Sequence, residues 1–279
     1  MIAFELFGRP IYRYGIFYLI SFLVWYIFLY RLPRWRFFDV TRIQKYPRLH
    51  ELLMTKLDDI FLIIMVGVIV WGRLGHVLLY ERGYYSQHLI EILQINQWGM
   101  SFVWGICGVV LGLLYLVRKH RLTRDELFLF GDMVLLIVPI GSLLGRYGNY
   151  LNQELVGNPI SEVSTGVVNV LQSLWLTNVF DQVDSLERVN TNFLQSLGEW
   201  ALLLILWWML FITIYRKDSD IRPWLIAGVY MIWYGVVRFS VEFFKDLPSY
   251  EQLWVLSVSQ WMSVCLMIFG VCVLLVRRR

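Results

Sequence analysis

A guanidinium, two carboxamides and a carboxylate crowd the run Gly145-Arg146-Tyr147-Gly148-Asn149-Tyr150-Leu151-Asn152-Gln153-Glu154-Leu155-Val156-Gly157, which closes an apolar segment. A centrally placed arginine costs a membrane helix about 2.5–3.5 kcal/mol on insertion scales, so these groups should face a cavity, a partner or the headgroup layer. A second such group is Arg238 and Glu242, four residues apart and so able to share one helix face. Arg146 and Asn149, three apart, share a face if their helix continues that far. Guanidinium stays charged and offers a planar fork of donors, which suits phosphate. The chemistry indicated is recognition of a polar, anionic ligand within an apolar framework. A third basic position inside an apolar run, Arg73, has His76 three residues on. Snorkelling or helix-packing ion pairs explain Arg73 as well as a binding role does, and a lone intramembrane His is more often a satisfied packing residue than a titrating group.

The framework is read from composition. At 58% hydrophobic, 17% aromatic and 16% charged residues over 279 positions, the chain is too apolar for a soluble domain. Apolar runs fall at roughly 14–31, 58–80, 98–117, 126–145, 196–215, 224–244 and 253–276, each near the ~20 residues a helix needs to span the hydrocarbon core. The expected fold is an all-α polytopic membrane protein of seven transmembrane helices. A small extracytoplasmic head, residues 150–195, is inserted between helices four and five of this single 1–279 membrane domain. Basic residues gather after the first, third, fifth and seventh runs, which puts those flanks in the cytoplasm, the N-terminus outside and the C-terminus inside. The net charge of +4 follows from that bias and calls for anionic lipid, with no nucleic-acid partner. The first run lacks a small-x-small cleavage site and should stay as a helix. Cys107, Cys265 and Cys272 lack metal or redox spacing and read as packing thiols; neither a metal nor another cofactor is expected. Within the head, Val167-Val168-Asn169-Val170-Leu171 is a possible short strand.

The long polar run resembles the signature of the prolipoprotein diacylglyceryl transferase family. Arg13-Tyr14-Gly15, Gly72-Arg73-Leu74-Gly75, Trp98-Gly99-Met100-Ser101-Phe102 and Tyr234-Gly235-Val236-Val237-Arg238-Phe239-Ser240-Val241-Glu242-Phe243-Phe244 follow that family in order, over nearly the whole chain. The resemblance implies a multi-pass enzyme of the bacterial cytoplasmic (inner) membrane. Its partners would be membrane lipids, phosphatidylglycerol as donor, and the lipobox-containing signal peptides of prolipoproteins as acceptors. The reaction transfers a diacylglyceryl group to the lipobox cysteine, forms a thioether and releases glycerol phosphate. It further implies a lipid-binding set of Arg73, Arg146, Asn149, Asn152, Glu154, Gly157 and Arg238, and catalytic roles for Tyr14, Arg146, Arg238 and Glu242. Tyr14 also fits an interfacial aromatic belt. Gly141, Gly145 and Gly148 fit close helix packing, while Gly148 and Gly157 also fit a turn that lets substrate approach.

Two departures from the family stand out. Its Met-Ser-Phe is followed by a His regarded as important for activity, whereas here Val103-Trp104 follows, leaving His76 as the candidate replacement base. Before the fifth apolar run, Leu194-Gln195-Ser196-Leu197-Gly198-Glu199 replaces a Pro-Ser-Gln-Leu-Tyr-Glu run, with Leu197 and Glu199 at matching spacing. A free thiol of pKa about 8.5 is roughly 3% ionised at pH 7, and a dedicated base contributes about 10²–10⁴-fold. Loss of the base therefore slows such a transfer without abolishing it. The alternative is a non-catalytic lipid- or prolipoprotein-binding homologue; a transporter would more often show internal repeats and midplane charges.

Overall fold

The computed structural model describes residues 2–6, 9–34, 40–79, 82–93, 101–215, 223–246 and 252–276. A hairpin of β1 (Ile2–Leu6) and β2 (Arg9–Tyr12) leads into α1 (Arg13–Arg31). Next come α2 (Val40–Lys45), α3 (Pro47–Thr55), α4 (Leu57–Leu79), α5 (Arg82–Tyr85) and α6 (Phe102–His120). Then come α7 (Arg124–Leu135), α8 (Val138–Leu151), α9 (Thr165–Ser173) and the hairpin of β3 (Thr177–Val179) with β4 (Glu187–Val189). The chain ends with α10 (Thr191–Tyr215), α11 (Leu225–Glu242), the short pair β5 (Gln252–Leu253) and β6 (Leu256–Ser257), and α12 (Val258–Val276).

Among the described residues, six helical stretches are long and apolar enough to cross a membrane: Gly15–Arg34, Leu57–Leu78, Arg124–Leu151, Thr191–Ile214, Leu225–Glu242 and Val258–Leu275. The third expected span corresponds to α6, a helix of 19 residues that is not one of these six. Burial is inverted relative to a water-soluble protein. Along α12, Trp261, Met262, Ile268, Phe269 and Leu275 are exposed while Gln260 and Ser263 are buried. Contiguous apolar surface on this scale belongs against lipid, and the chain is a multi-pass membrane protein. Cys107, Cys265 and Cys272 also lie on exposed helix faces, so the packing role expected of them is not seen.

The chain forms two compact units, residues 29–127 and residues 1–28 with 128–279. In the first, α4 and α6 meet where Gly67 faces Gly108: a Cβ on Gly67 would stand 2.7 Å from the Gly108 carbonyl oxygen, so any side chain would force the helices apart. Glu126 joins two helix starts in this unit. Its Oε1 accepts the Arg48 and Leu49 amides at 2.9 and 3.1 Å, and its Oε2 accepts the Thr123 amide and hydroxyl at 2.9 and 3.0 Å. Thr123-x-x-Glu126 is thus a capping box whose carboxylate caps α3 as well.

In the second unit, α8, α10, α11 and α12 are packed as successive neighbours. The fourth span breaks at Leu136–Ile137, because Pro139 lacks an amide hydrogen and its ring clashes with the preceding turn; the helix resumes as α8 and runs to Leu151. It therefore extends past the expected end at 145 and carries Arg146 and Asn149 on regular helix. Buried Asp132 on α7 accepts the Trp224 and Ala227 amides at 2.7 and 2.8 Å, which satisfies orphan donors at the start of α11. Gly145 does not pack as expected, since a Cβ there would meet nothing within 4 Å, and one on Gly141 would make only ordinary contact with Ser21 at 3.7 Å.

Between α8 and α10 the segment Val167–Leu171 is helical, not a strand. The Val167 and Val168 amides both bond to the Ser164 carbonyl, at 2.9 and 3.0 Å, and open α9. Its apolar residues fall at helical spacing: Leu171 turns inward onto Leu176 and Val189, with Val163, Leu194 and Phe244 packed around them. Arg188 on β4 ties this segment to its surroundings. Its guanidinium pairs with Asp184 at 2.6 Å and Asp246 at 2.8 Å and donates to the Gly157 carbonyl at 3.0 Å. The Arg188 guanidinium holds the Asp184 carboxyl below the usual carboxylate range.

Candidate functional site

The polar residues of the second unit converge where α8, α10, α11 and the start of α12 meet. Helix α8 contributes Ser142 and Arg146, one turn apart on one face. Helix α10 contributes Asn192, Gln195 and Glu199, at i, i+3 and i+7, all at most 1% exposed. Helix α11 contributes Tyr234, Arg238 and Glu242, again at fourfold spacing.

Arg238 is the hub of this cluster. Its Nε donates to Ser259 Oγ at 3.0 Å and its Nη1 to Gln195 Oε1 at 3.2 Å, while Nη2 lies 3.5 Å from Glu242 Oε2. The ion pair expected from the four-residue spacing is present. Glu242, buried at the end of its helix, orients more than Arg238: Oε2 is also 3.2 Å from Lys245 Nζ, and Oε1 accepts the Ser257 hydroxyl at 3.2 Å. Ser257 is itself fixed by a capping box at the start of α12. Its amide donates to Gln260 Oε1 at 2.9 Å and its hydroxyl accepts the Gln260 amide at 3.1 Å. On the facing side, Ser142 Oγ donates to Glu199 Oε1 at 2.8 Å. Arg146, half-buried, lies close enough to Arg238, Tyr234 and Glu199 for each to act on its charge.

The rest of the polar run forms the strap after α8. The Glu154 amide bonds to the Asn149 carbonyl at 2.9 Å, and Asn152 Nδ2 reaches Glu154 Oε1 at 3.2 Å. Asn192 Nδ2 and Thr191 Oγ1 hold the Glu154 and Leu155 carbonyls at 2.8 and 2.6 Å. Gln153 and Leu155 carry φ of 55° and 54°, a region costly for side-chain-bearing residues and concentrated at functional sites. Gly157 closes the strap. Its amide bonds to the Val189 carbonyl at 3.0 Å, it bridges to Lys245, and a Cβ there would stand 2.5 Å from the Val189 oxygen and 2.6 Å from that of Phe244. Glycine is required by this close approach. Lys245, buried beside Glu242, has its ammonium pulled down to about 8, first by burial and then by the Arg238 charge, with Glu242 opposing.

Arg73 and His76 belong to the unit of residues 29–127. Arg73 is buried, donates from Nε and Nη2 to the Ile92 and Glu91 carbonyls at 3.0 and 2.8 Å, and lies 5.1 Å from the Tyr85 ring centre. His76 meets the same ring edge-on at 6.3 Å. These contacts give Arg73 a role in holding the 91–92 segment. Trp98-Gly99-Met100 lies outside the described residues, as do the side chains of Tyr14, in the first turn of α1, and Val103, in the first turn of α6. Ser142, Gln195, Lys245, Ser257 and Ser259 were not singled out from sequence. Only the spacing of Asn192, Gln195 and Glu199 along an otherwise apolar helix could have indicated that face.

The arrangement defines a polytopic membrane protein with a cluster of buried polar and charged side chains set among its spanning helices. Residues 1–276 match the family described as prolipoprotein diacylglyceryl transferase. A phosphatidylglycerol–prolipoprotein diacylglyceryl transferase of Methylobacillus flagellatus is 35% identical over 283 aligned residues, covering 100% of this chain and 96% of the relative. Proteins of that name from Polynucleobacter asymbioticus and Dechloromonas aromatica are 34% and 33% identical, covering 88% and 97% of this chain and 88% and 92% of their own lengths. The chain belongs to the prolipoprotein diacylglyceryl transferase family.

Proposed function

We infer that this chain transfers the diacylglyceryl group of phosphatidylglycerol to the cysteine thiol of a prolipoprotein lipobox. The sulfur attacks the glyceryl carbon that bears the phosphate ester. A C–S bond forms, the C–O bond breaks, glycerol phosphate leaves with the bonding pair, and the thiol proton passes to base or solvent. The observation that carries this reading is the placement of Arg146 and Arg238 within electrostatic reach of each other on spanning helices. Like charges held together in an apolar setting are unfavourable unless an anion joins them. With both carboxylates ionised, the three cations Arg146, Arg238 and Lys245 outweigh Glu199 and Glu242 by one charge, which a phosphodiester neutralises.

In this reading Arg146 and Arg238 clamp the phosphate, and Glu242, shared by two cations and a serine hydroxyl, orients them and is not the base. Asn149, Asn152, Glu154 and Gly157 shape the strap beside the headgroup, and Tyr14 contributes from α1. In place of the family His, the thiol proton passes to solvent or to His76, two alternatives that Val103→His and His76→Ala separate. Helix α6 completes a seven-span topology in the bacterial inner membrane, with the N-terminus and the 150–195 head outside and the C-terminus in the cytoplasm. Transfer of labelled diacylglyceryl from phosphatidylglycerol to a lipobox peptide by the purified protein, and restored lipoprotein modification in cells depleted of their own transferase, test the assignment. Absence of thioether product in both would overturn it.

A further inference from the structure

The arginine clamp explains how a phosphate is held but not how one headgroup is told from another. Beside Arg238, two buried side chains on one face of α10 each have one polar atom engaged and one unused. Gln195 is fully buried; its Oε1 accepts from Arg238, and its Nε2 has no hydrogen-bond partner. Glu199 is 1% exposed; its Oε1 accepts from Ser142, and its Oε2 has no hydrogen-bond partner. The Gln195 amide lies near enough to interact with the Glu199 carboxylate yet does not close a hydrogen bond of normal geometry with it. A buried donor and a buried acceptor left open side by side are expensive, and the expense is removed by a group that accepts from one and donates to the other. A hydroxyl does both. An ammonium only donates, and would leave the amide unsatisfied; a carbonyl only accepts, and would leave the carboxylate unsatisfied and repelled.

We propose that Gln195 and Glu199 form a hydroxyl-binding subsite that reads the alcohol headgroup of the donor lipid. The proposal rests on the transferase reading and adds to it a source of lipid selectivity. Its position fits, because Gln195 grips the guanidinium assigned to the phosphate, and the headgroup hydroxyls of phosphatidylglycerol lie on the two carbons next beyond the phosphate-bound one. Asn192, one turn earlier on the same face, adds a second unused buried acceptor, its Oδ1. With Gln195 Nε2 and Glu199 Oε2 it makes a stripe of three open polar atoms along one face of α10. A phosphatidylethanolamine headgroup would bring an ammonium to the same place.

The test compares donors that give the same peptide product. Purified protein in mixed micelles is assayed with a lipobox peptide and either phosphatidylglycerol or phosphatidylpropanol, which keeps the phosphate and the three-carbon headgroup but has no hydroxyl; phosphatidylethanolamine is a third arm. The wild type should favour phosphatidylglycerol over phosphatidylpropanol by about 10–100-fold in kcat/KM, the range of one or two buried hydrogen bonds. Gln195→Met should bring that ratio to within about threefold, and Glu199→Gln should lower it about tenfold. Structural damage alone would depress both lipids together and leave the ratio unchanged. A wild-type ratio near one, with both lipids used, overturns the subsite while leaving the transferase intact; so does a Gln195→Met ratio equal to that of the wild type. No product from any lipid overturns the transferase reading and the subsite with it.

Discussion

Arg238 offers the most quantitative test of the clamp. Its three guanidinium nitrogens reach Ser259 at 3.0 Å, Gln195 at 3.2 Å and Glu242 at 3.5 Å, so its plane is fixed before any lipid arrives, and two of its five N–H groups are left for a phosphate. Removing one preorganised donor from a developing oxyanion costs about 2.7–4 kcal/mol, or 10²–10³ in kcat, and Arg238→Ala removes at least that. The same change leaves Gln195 Oε1 without its partner and removes one of the two cations beside Glu242, which adds about 1–3 kcal/mol against folding. Arg238→Lys keeps the charge but not the fork. A point ammonium can hold Glu242 but not Ser259 and Gln195 together, so kcat should recover only to about 10–100-fold below wild type. The assay is single-turnover transfer of labelled diacylglyceryl to a lipobox peptide, with thermal unfolding in detergent measured on the same preparations to separate folding from chemistry. An Arg238→Ala enzyme within about threefold of wild-type kcat would refute the assignment.

Three further outcomes are expected. Glu242→Gln should be milder than Glu242→Ala in the same transfer assay, because an amide still accepts from Arg238; equal losses would instead make Glu242 the base. Lys245 is charged below about pH 8 and neutral above it, and a bound phosphate favours the charged form. Affinity for phosphatidylglycerol should therefore be fully present below pH 8 and fall by roughly 1 kcal/mol, about fivefold, as pH rises through it. Lys245→Arg, which stays charged, should remove that pH dependence in lipid-binding titrations. Val103→His should raise the transfer rate at pH 7, with the gain shrinking as pH approaches the free-thiol value of about 8.5. If His76 already serves as the base, that substitution will add little and His76→Ala will be severe.

Spacing along one helix was readable from sequence, and spacing between helices was not. The four-residue interval predicted the Arg238–Glu242 pair, and it is present because i and i+4 face the same way whatever surrounds them. Ser142–Glu199 and Gln195–Arg238 span 57 and 43 residues, and they form only because α8, α10 and α11 pack side by side. At Val167–Leu171 the β-branched composition suggested a strand, yet α9 forms, opened by the Ser164 carbonyl and anchored by Leu171 on Leu176 and Val189. There, tertiary contact outweighed propensity. Pro139 marks the break in the fourth span, but the path of the chain beyond it depends on tertiary context. The helix continues to Leu151 and so carries Arg146 on a rigid element.

The charge distribution also gives a reason for catalysis rather than binding alone. Before reaction the phosphodiester carries one negative charge and the thiolate another. After it the sulfur is neutral and the departing monoester carries both. Arginines aimed at the phosphate therefore gain attraction along the reaction coordinate, while a site that gripped the sulfur would lose it. Interactions that strengthen only towards the transition state are the ones that raise kcat. In the proposed phosphate clamp Arg146 and Arg238 would meet that requirement, and Glu242 and Gln195, which hold Arg238, would keep reorganisation during charge transfer small. A proton acceptor for the thiol would improve on that clamp without being its source, so on this proposal Val103 in place of the family His leaves the principal stabilisation in place.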